Sequence, residues 1–159
     1  MTIMKRLDNA AGRLCKALLP IKHEYDLGAG KADAVCTLSS IDLLQTIAKS
    51  DIMNRILIAG RLLSENKGID AIIDFTVKHP SLNRIIVCGK EVRGHRAGQA
   101  LLALASNGTD SSGRIIGAVG PNPMVTLPLQ DVDIFRHQVE INDMIGTVDI
   151  GKIAQALVT

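Results

Sequence analysis

The pattern that most restricts this chain is a repeated pairing of a short aliphatic run with a stretch of helical periodicity. The runs fall at Ala32 to Leu38, Arg55 to Ala59, Arg84 to Cys88 and Arg114 to Ala118. Each is too short for a helix, and none alternates as a strand with one wet face does, so each reads as a buried strand. After the first, Ser39-Ser40-Ile41-Asp42 starts a helix. A serine oxygen accepts from free amides there, Asp42 suits the positive helix end, and Ile41, Leu44 and Ala48 point inward. After the second, a turn at Gly60 leads to a helix from about Gly68 to Lys78, with Ile69, Ile72, Ile73 and Thr76 on one face and His79-Pro80 as its stop. The third is followed by the loop Gly89 to Gly94 and a helix over Arg96 to Ser106 that buries Ala97, Ala100, Leu101, Leu104 and Ala105 and ends on Asn107-Gly108. The fourth runs into the Pro- and Gly-rich loop Gly120 to Pro128, then a helix from Leu129 to Gln138. Val139 to Ile145 reads as a short strand and a last helix starts at Ile150.

Repeated strand, loop and helix imply right-handed crossovers, hence an α/β, Rossmann-like domain whose largely parallel sheet is covered by helices on both faces. One domain over 1–159 is expected. Residues 1–20 form its helical N-terminal extension, with a helix over Asp8 to Leu18 stopped by Pro20, and 146–159 its C-terminal helical segment. In such sheets ligands lie beyond the carboxyl ends of the strands, which here means the segments after Leu38, Ala59, Cys88 and Ala118.

Composition removes several function classes. With no Trp, one Tyr and two Phe there are no stacking platforms for single-stranded nucleic acid, and a net charge of +2 gives no field for phosphate backbones. Nucleic acid is therefore not an expected partner. The N-terminus intersperses charges among its apolar residues, unlike a signal peptide, and no later stretch has the roughly 18 apolar residues that span a bilayer, so a cytoplasmic protein without direct membrane insertion is expected. Cys15, Cys36 and Cys88 have no metal-ligand spacing and read as reduced core residues.

The segment IIVCGKEVRGHRAGQALLALASNG, Ile85 to Gly108, concentrates the chemistry. It sets His95 between a loop and the first turn of a helix, at the ligand end of a central strand. Gly94, Ala97 and Gly98 leave room for a large flat ring to approach the backbone and for an imidazole to reach a metal within it. Spacing alone favours a plainer reading, a helix cap with turn glycines, because His-x-x-Gly is a weak signal in a Gly-rich chain. His23, His79 and His137 lack partners at zinc spacing. Gly89 to Gly94 matches neither a Walker loop nor a dinucleotide fingerprint, and no serine sits in a nucleophile elbow. Gly117-Ala118-Val119-Gly120-Pro121-Asn122-Pro123 is either a pocket wall or a tight connection.

The order of segments resembles the A-subunit family of tetrahydromethanopterin S-methyltransferase, whose members carry the corrinoid of a methyl-transfer complex. The resemblance runs from Pro20-Ile21 and Tyr25 through AVCTLSS at Ala34, Ile58-Ala59-Gly60 and SENKGI at Ser64. It continues through CGKEVRGHRAGQALLAL at Cys88, NG at Asn107, GRIIGAVG at Gly113 and FRHQVEINDMIG at Phe135. It implies a cobalamin or other cobamide at the carboxyl ends of the strands, with His95 as the catalytic residue and cobalt's lower axial ligand. The implied cofactor-binding residues are Thr37, Leu38 and Ser39 after the first strand, and Gly60, Arg61, Leu62, Glu65 and Asn66 after the second. Gly89, Val92, Gly94, His95, Gly98 and Gln99 follow the third, and Gly117, Ala118, Gly120, Pro121 and Pro123 the fourth.

The implied activity is that of a transferase component, a methyl carrier cycling between Co(I) and methyl-Co(III). It would take a methyl group from a donor such as methyl-tetrahydromethanopterin and pass it to an acceptor thiol such as coenzyme M, with partner subunits bringing both. Co(III) accepts an axial base and Co(I) releases it, so ligation by His95 follows methylation, and protons compete for the same nitrogen. Many cobalamin proteins support that histidine with an Asp two positions earlier. Arg93 stands there, which leaves Glu91 or a backbone carbonyl. The family's membrane-bound form continues into a transmembrane helix, whereas this sequence ends at Thr159, so a soluble form or one without the anchor is expected. Arg61-Leu62-Leu63 and Pro121-Asn122 depart from the family pattern. The competing readings are an enzyme binding a nucleotide or phosphate ligand through the same loops, and a partner protein of the complex without a cofactor.

Overall fold

Aliphatic runs shorter than a helix become strands when both of their faces find cover. The computed structural model describes residues 25–158, in which five strands and five α-helices alternate. In chain order they are β1 (Tyr25–Leu27), β2 (Asp33–Cys36), α1 (Ile41–Ala48), a 3-10 turn (Asp51–Asn54), β3 (Ile58–Gly60) and α2 (Lys67–Lys78). Then follow β4 (Arg84–Val87), α3 (Ala97–Asn107), α4 (Leu129–Gln138), β5 (Glu140–Asp143) and α5 (Ile150–Ala156). The sheet order is β1-β3-β2-β4-β5. β1 runs antiparallel to β3, and every other pair is parallel. The helix expected over Asp8 to Leu18, Cys15 and His23 lie outside the described residues.

The two-residue period of β2 and β4 divides their side chains between two apolar clusters. Ala34, Cys36, Ile85 and Val87 join Ile69 and Ile73 of α2, Leu101 and Leu104 of α3, and Val132 and Phe135 of α4. Val35, Ile86 and Cys88 join Leu43, Leu44 and Ile47 of α1 and Ile153 of α5. The buried stripe of α1 is thus Leu43, Leu44 and Ile47, while Ile41 and Ala48 are only half-buried. Burial pushes the thiols of Cys36 and Cys88 up to about 12, so both are neutral, unpaired core groups. No helix among the described residues is long and apolar enough to cross a membrane.

Two expectations fail for identifiable reasons. Arg114 to Ala118 is not a strand of the sheet and makes only isolated bridges, Thr109 to Ile115 and Arg114 to Met124. Local turn chemistry competes successfully there: the Asp110 carboxylate accepts from the amides of Ser112 and Arg114, and Gly113 and Gly117 take φ of +89° and +85°. The place beside β4 belongs instead to β5, paired from Arg84 with Glu140 to Val87 with Asp143. The second failure concerns the serines before α1, which do not cap it. Ser40 Oγ accepts the amide of Lys90 at 2.8 Å and Ser39 Oγ donates to the carbonyl of Lys90 at 2.7 Å, so both tie the loop after β2 to the loop after β4.

Candidate functional site

The carboxyl ends of β2, β3, β4 and β5 converge on one rim of the sheet, and the loops leaving them interlock. Gly89 takes φ of +76°, and a Cβ there would stand 2.3 Å from the carbonyl oxygen of Thr37, so the crossing of these loops requires glycine. Its amide donates to Thr147 O and its carbonyl accepts from Gly146, which brings the loop after β5 into the rim. The Arg61 guanidinium donates to Ser39 O at 3.3 Å, while its Nε is buried without a partner among the described residues.

Within the loop after β4, Glu91 organises the start of α3. Its carboxylate accepts from the amides of Val92, Gly98 and Gln99 at 2.7, 2.9 and 2.8 Å, although it lies six residues before the first helical position. Three otherwise free donors are satisfied by one anion at the positive end of the helix. Glu91→Ala is therefore expected to cost about 1–2 kcal/mol, the range of a lost helix cap. It should also speed amide exchange at Gly98 and Gln99 selectively, which urea unfolding and hydrogen-exchange NMR would measure.

His95 occupies the turn between this cap and α3. Gly94 before it has φ of +81°, with nothing within 4 Å of an added Cβ, and Arg96 after it is left-handed at φ +50°. The imidazole is 53% exposed, yet its Nδ1 lies 2.7 Å from Oε2 of Glu65, a side chain only 1% exposed. The other oxygen of Glu65 accepts the Asn122 amide at 2.9 Å. Burial pushes the Glu65 carboxyl up, but hydrogen bonds from its own amide, from Asn122 and from His95 outweigh it and hold the group below its ordinary value. Glu65 is therefore an anion with acceptors only. His95 Nδ1 must carry the shared proton, which turns Nε2 away from Glu65. The other described histidines differ: His79 and His137 spend Nδ1 on the carbonyls of Phe75 and Asp133, one helical turn earlier.

The Gly117–Pro123 segment reaches the rim from the side instead of at the end of a strand. Gln99 donates to Gly117 O at 2.9 Å and accepts from Val119 N at 3.0 Å. A Cβ on Gly120 would stand 2.4 Å from His95 O and 3.0 Å from Cγ of Glu65, so this chain crosses directly against the pair. Asn66 caps α2 and reaches Asn122 O.

Of the residues singled out by sequence, Ser39, Gly60, Arg61, Val92, Gly94, His95, Gln99, Gly117, Ala118 and Pro121 keep exposed or half-exposed surface. Thr37, Leu38, Leu62, Glu65, Gly89, Gly98, Gly120 and Pro123 are buried, and a Cβ on Gly98 would meet Glu91, Leu38 and Ile145 within 3.0 Å. The partner of His95 is Glu65 and not Glu91 or a carbonyl, because Glu91 is already committed to three amides. Sequence reasoning placed Asn122 in the Gly117–Pro123 segment without giving it a role, since it acts through its backbone amide, and it gave none to the Met144–Thr147 loop that follows a polar strand. Among the described residues no group of three or more His, Cys, Asp and Glu side chains is arranged to hold a metal ion.

The family model for the A subunit of tetrahydromethanopterin S-methyltransferase matches residues 16–158. The chain belongs to this family. Similar curated proteins carry the same description. The A 2 subunit of Methanothermobacter thermautotrophicus is 43% identical over 99 residues, covering 61% of this chain and 54% of that protein. The A subunit of Methanocaldococcus jannaschii is 42% identical over 102 residues, 63% of this chain and 42% of its own length. The A subunit of Methanohalophilus mahii is 34% identical over 143 residues, 86% of this chain and 56% of its own. The chain thus spans about half the length of these relatives. In this member of the family, the segments that begin at Ser64, Cys88 and Gly113 meet around Glu65 and His95.

Proposed function

We propose that this chain is the corrinoid-binding, methyl-carrying component of a methyltransferase, with His95 as the lower axial ligand of cobalt. The observation that carries the reading is the His95 and Glu65 pair: an exposed imidazole whose inner nitrogen is held by a buried carboxylate, at the carboxyl rim of a mostly parallel sheet. Metal-bound histidines commonly give their second nitrogen to such a carboxylate, which fixes the tautomer and raises ligand basicity. The donor set fits the group. A single histidine without neighbouring metal ligands suits a metal that arrives with its other positions filled, as cobalt does in a corrin ring.

When bound, a cobamide supplies a cobalt centre that takes up a methyl group and gives it away. This chain's own residues do the rest. Glu65 orients His95 and keeps the proton on Nδ1; the open space at Gly94 lets a flat ring approach; Ser39, Gly60, Arg61 and the Gly117–Pro121 segment border it. A Rossmann-like layering, with the two apolar clusters as its two covered faces, is part of the same reading. The family description supports a tetrahydropterin-type carrier as methyl donor and a thiol as acceptor, each brought by a partner subunit.

The test is reconstitution. Hydroxocobalamin mixed with the purified chain and passed through gel filtration should leave cobalt and chain in equimolar amounts, with a Co(III) absorption band shifted from that of the free vitamin. Cobalt eluting entirely apart from the protein would refute the reading.

A further inference from the structure

We propose that Arg93 and Arg96 form an anion-gripping pair beside His95 that holds the phosphodiester of the cofactor's nucleotide tail; this deepens the corrinoid reading and rests on it. The two arginines flank the imidazole in one tight turn, where Gly94 and Arg96 both have positive φ. A left-handed conformation is rare for a residue with a Cβ, and it aims the Arg96 side chain differently from the helix that follows. Both arginines are exposed and line a cleft of about 500 Å³, together with Glu91, Val92, Gln99 and Leu102.

The state of their charges supports a ligand. Among the other arginines, Arg55 donates to Ala154 O, Arg61 to Ser39 O, Arg84 pairs with Asp33 and Arg136 donates to the carbonyls of Ala105 and Ser106, while Arg114 is exposed and lies outside this cleft. Arg93 and Arg96 have no side-chain hydrogen bond or ion pair among the described residues. The carboxylates that also line the cleft are engaged, Glu91 by three amides and Asp143 by the amide of Ile145. Two free guanidinium forks beside a cleft match the bidentate geometry of a phosphate group.

Ligand chemistry then selects the anion. An imidazole in cobalt's lower position displaces the cofactor's own base, which hangs from the same face of the ring through a phosphodiester. That negative charge must settle on the protein's side, near the residue that displaced the base. A corrinoid lacking the nucleotide tail, cobinamide, has no such group.

The experiment compares cobalamin with cobinamide by spectrophotometric titration of the full chain, unaltered and carrying R93Q together with R96Q. The unaltered chain should favour cobalamin. The double variant should lose roughly tenfold in cobalamin affinity per arginine, as for a charge-assisted hydrogen bond, while cobinamide affinity stays within about twofold. R93K with R96K should recover part of the loss, and a thermal unfolding curve should confirm that each variant folds. Equal losses for both corrinoids, or none for either, would overturn the arginine assignment alone. Failure of the unaltered chain to bind either corrinoid would overturn the corrinoid reading and this inference with it.

Discussion

Under the proposed ligation, His95→Ala should remove the nitrogen from cobalt's lower face while the chain still folds. With ¹⁵N-histidine incorporated, the reconstituted Co(II) form of the unaltered protein should show a doublet in its electron paramagnetic resonance signal, because the ligating nitrogen then has spin one-half. The variant should show no coupling to the label. A doublet that survives the substitution would place the ligand elsewhere. The cost to stability follows from what His95 leaves behind: Oε2 of Glu65, in a side chain 1% exposed, loses its partner at 2.7 Å. An unsatisfied buried acceptor costs about 1–3 kcal/mol, to be read from urea unfolding of the cofactor-free chain. The pH dependence has a definite sign. Glu65 titrates below its ordinary value of 4.5 in the folded state, so its stabilisation is complete above that value and is lost as pH falls through the folded pKa. Without His95 one of the interactions that lower the group disappears. The gap between variant and unaltered protein should persist down to the ordinary carboxylate range and close below it.

How much of this was legible depended on where the information sits along the chain. β2 and β4 and the helices α2 to α4 were visible because uninterrupted aliphatic runs and one-faced periodicity are local patterns. β5 was readable only as a weak strand, since Glu-Ile-Asn-Asp at a sheet edge keeps two exposed ends, and β1, three residues long, gave no periodicity at all. The mistaken strand at Arg114 to Ala118 had the aliphatic content, but the Asp110 turn and two positive-φ glycines outweigh β-propensity that no neighbouring strand rewards. The position of His95 was legible for a topological reason, because parallel sheets gather their loops at one rim. Its partner was not. Glu91 is four residues from His95 and Glu65 is thirty, and sequence proximity favours the wrong one. Only the sheet order, which sets the loop after β3 near the loop after β4, together with the Gly120 crossing, brings Glu65 beneath the imidazole.

Glu65→Gln should disable His95 without moving it, and the reason lies in counting donors. Both oxygens of Glu65 accept, one from the Asn122 amide at 2.9 Å and the other from His95 Nδ1 at 2.7 Å. Glutamine has the same shape but only one accepting oxygen, the other position being an NH₂ donor. The Asn122 amide is a fixed donor and can face only the oxygen. The NH₂ is then turned to His95 Nδ1, which can meet it only as an acceptor, so the imidazole proton moves to Nε2. That tautomer has no outward lone pair, and ligation must either break the new hydrogen bond or oppose it. Loss of such a supporting group typically costs roughly 10–100-fold in metal affinity, and about that loss of cobalamin affinity is expected, with little change in the unfolding midpoint. The imidazole ¹⁵N shifts report the tautomer directly in the cofactor-free protein. A proton still on Nδ1 in the variant, or undiminished cobalamin affinity, would remove Glu65 from the ligation scheme. Combining this change with His95→Ala should add almost nothing to the loss of binding, since the two act through one bond.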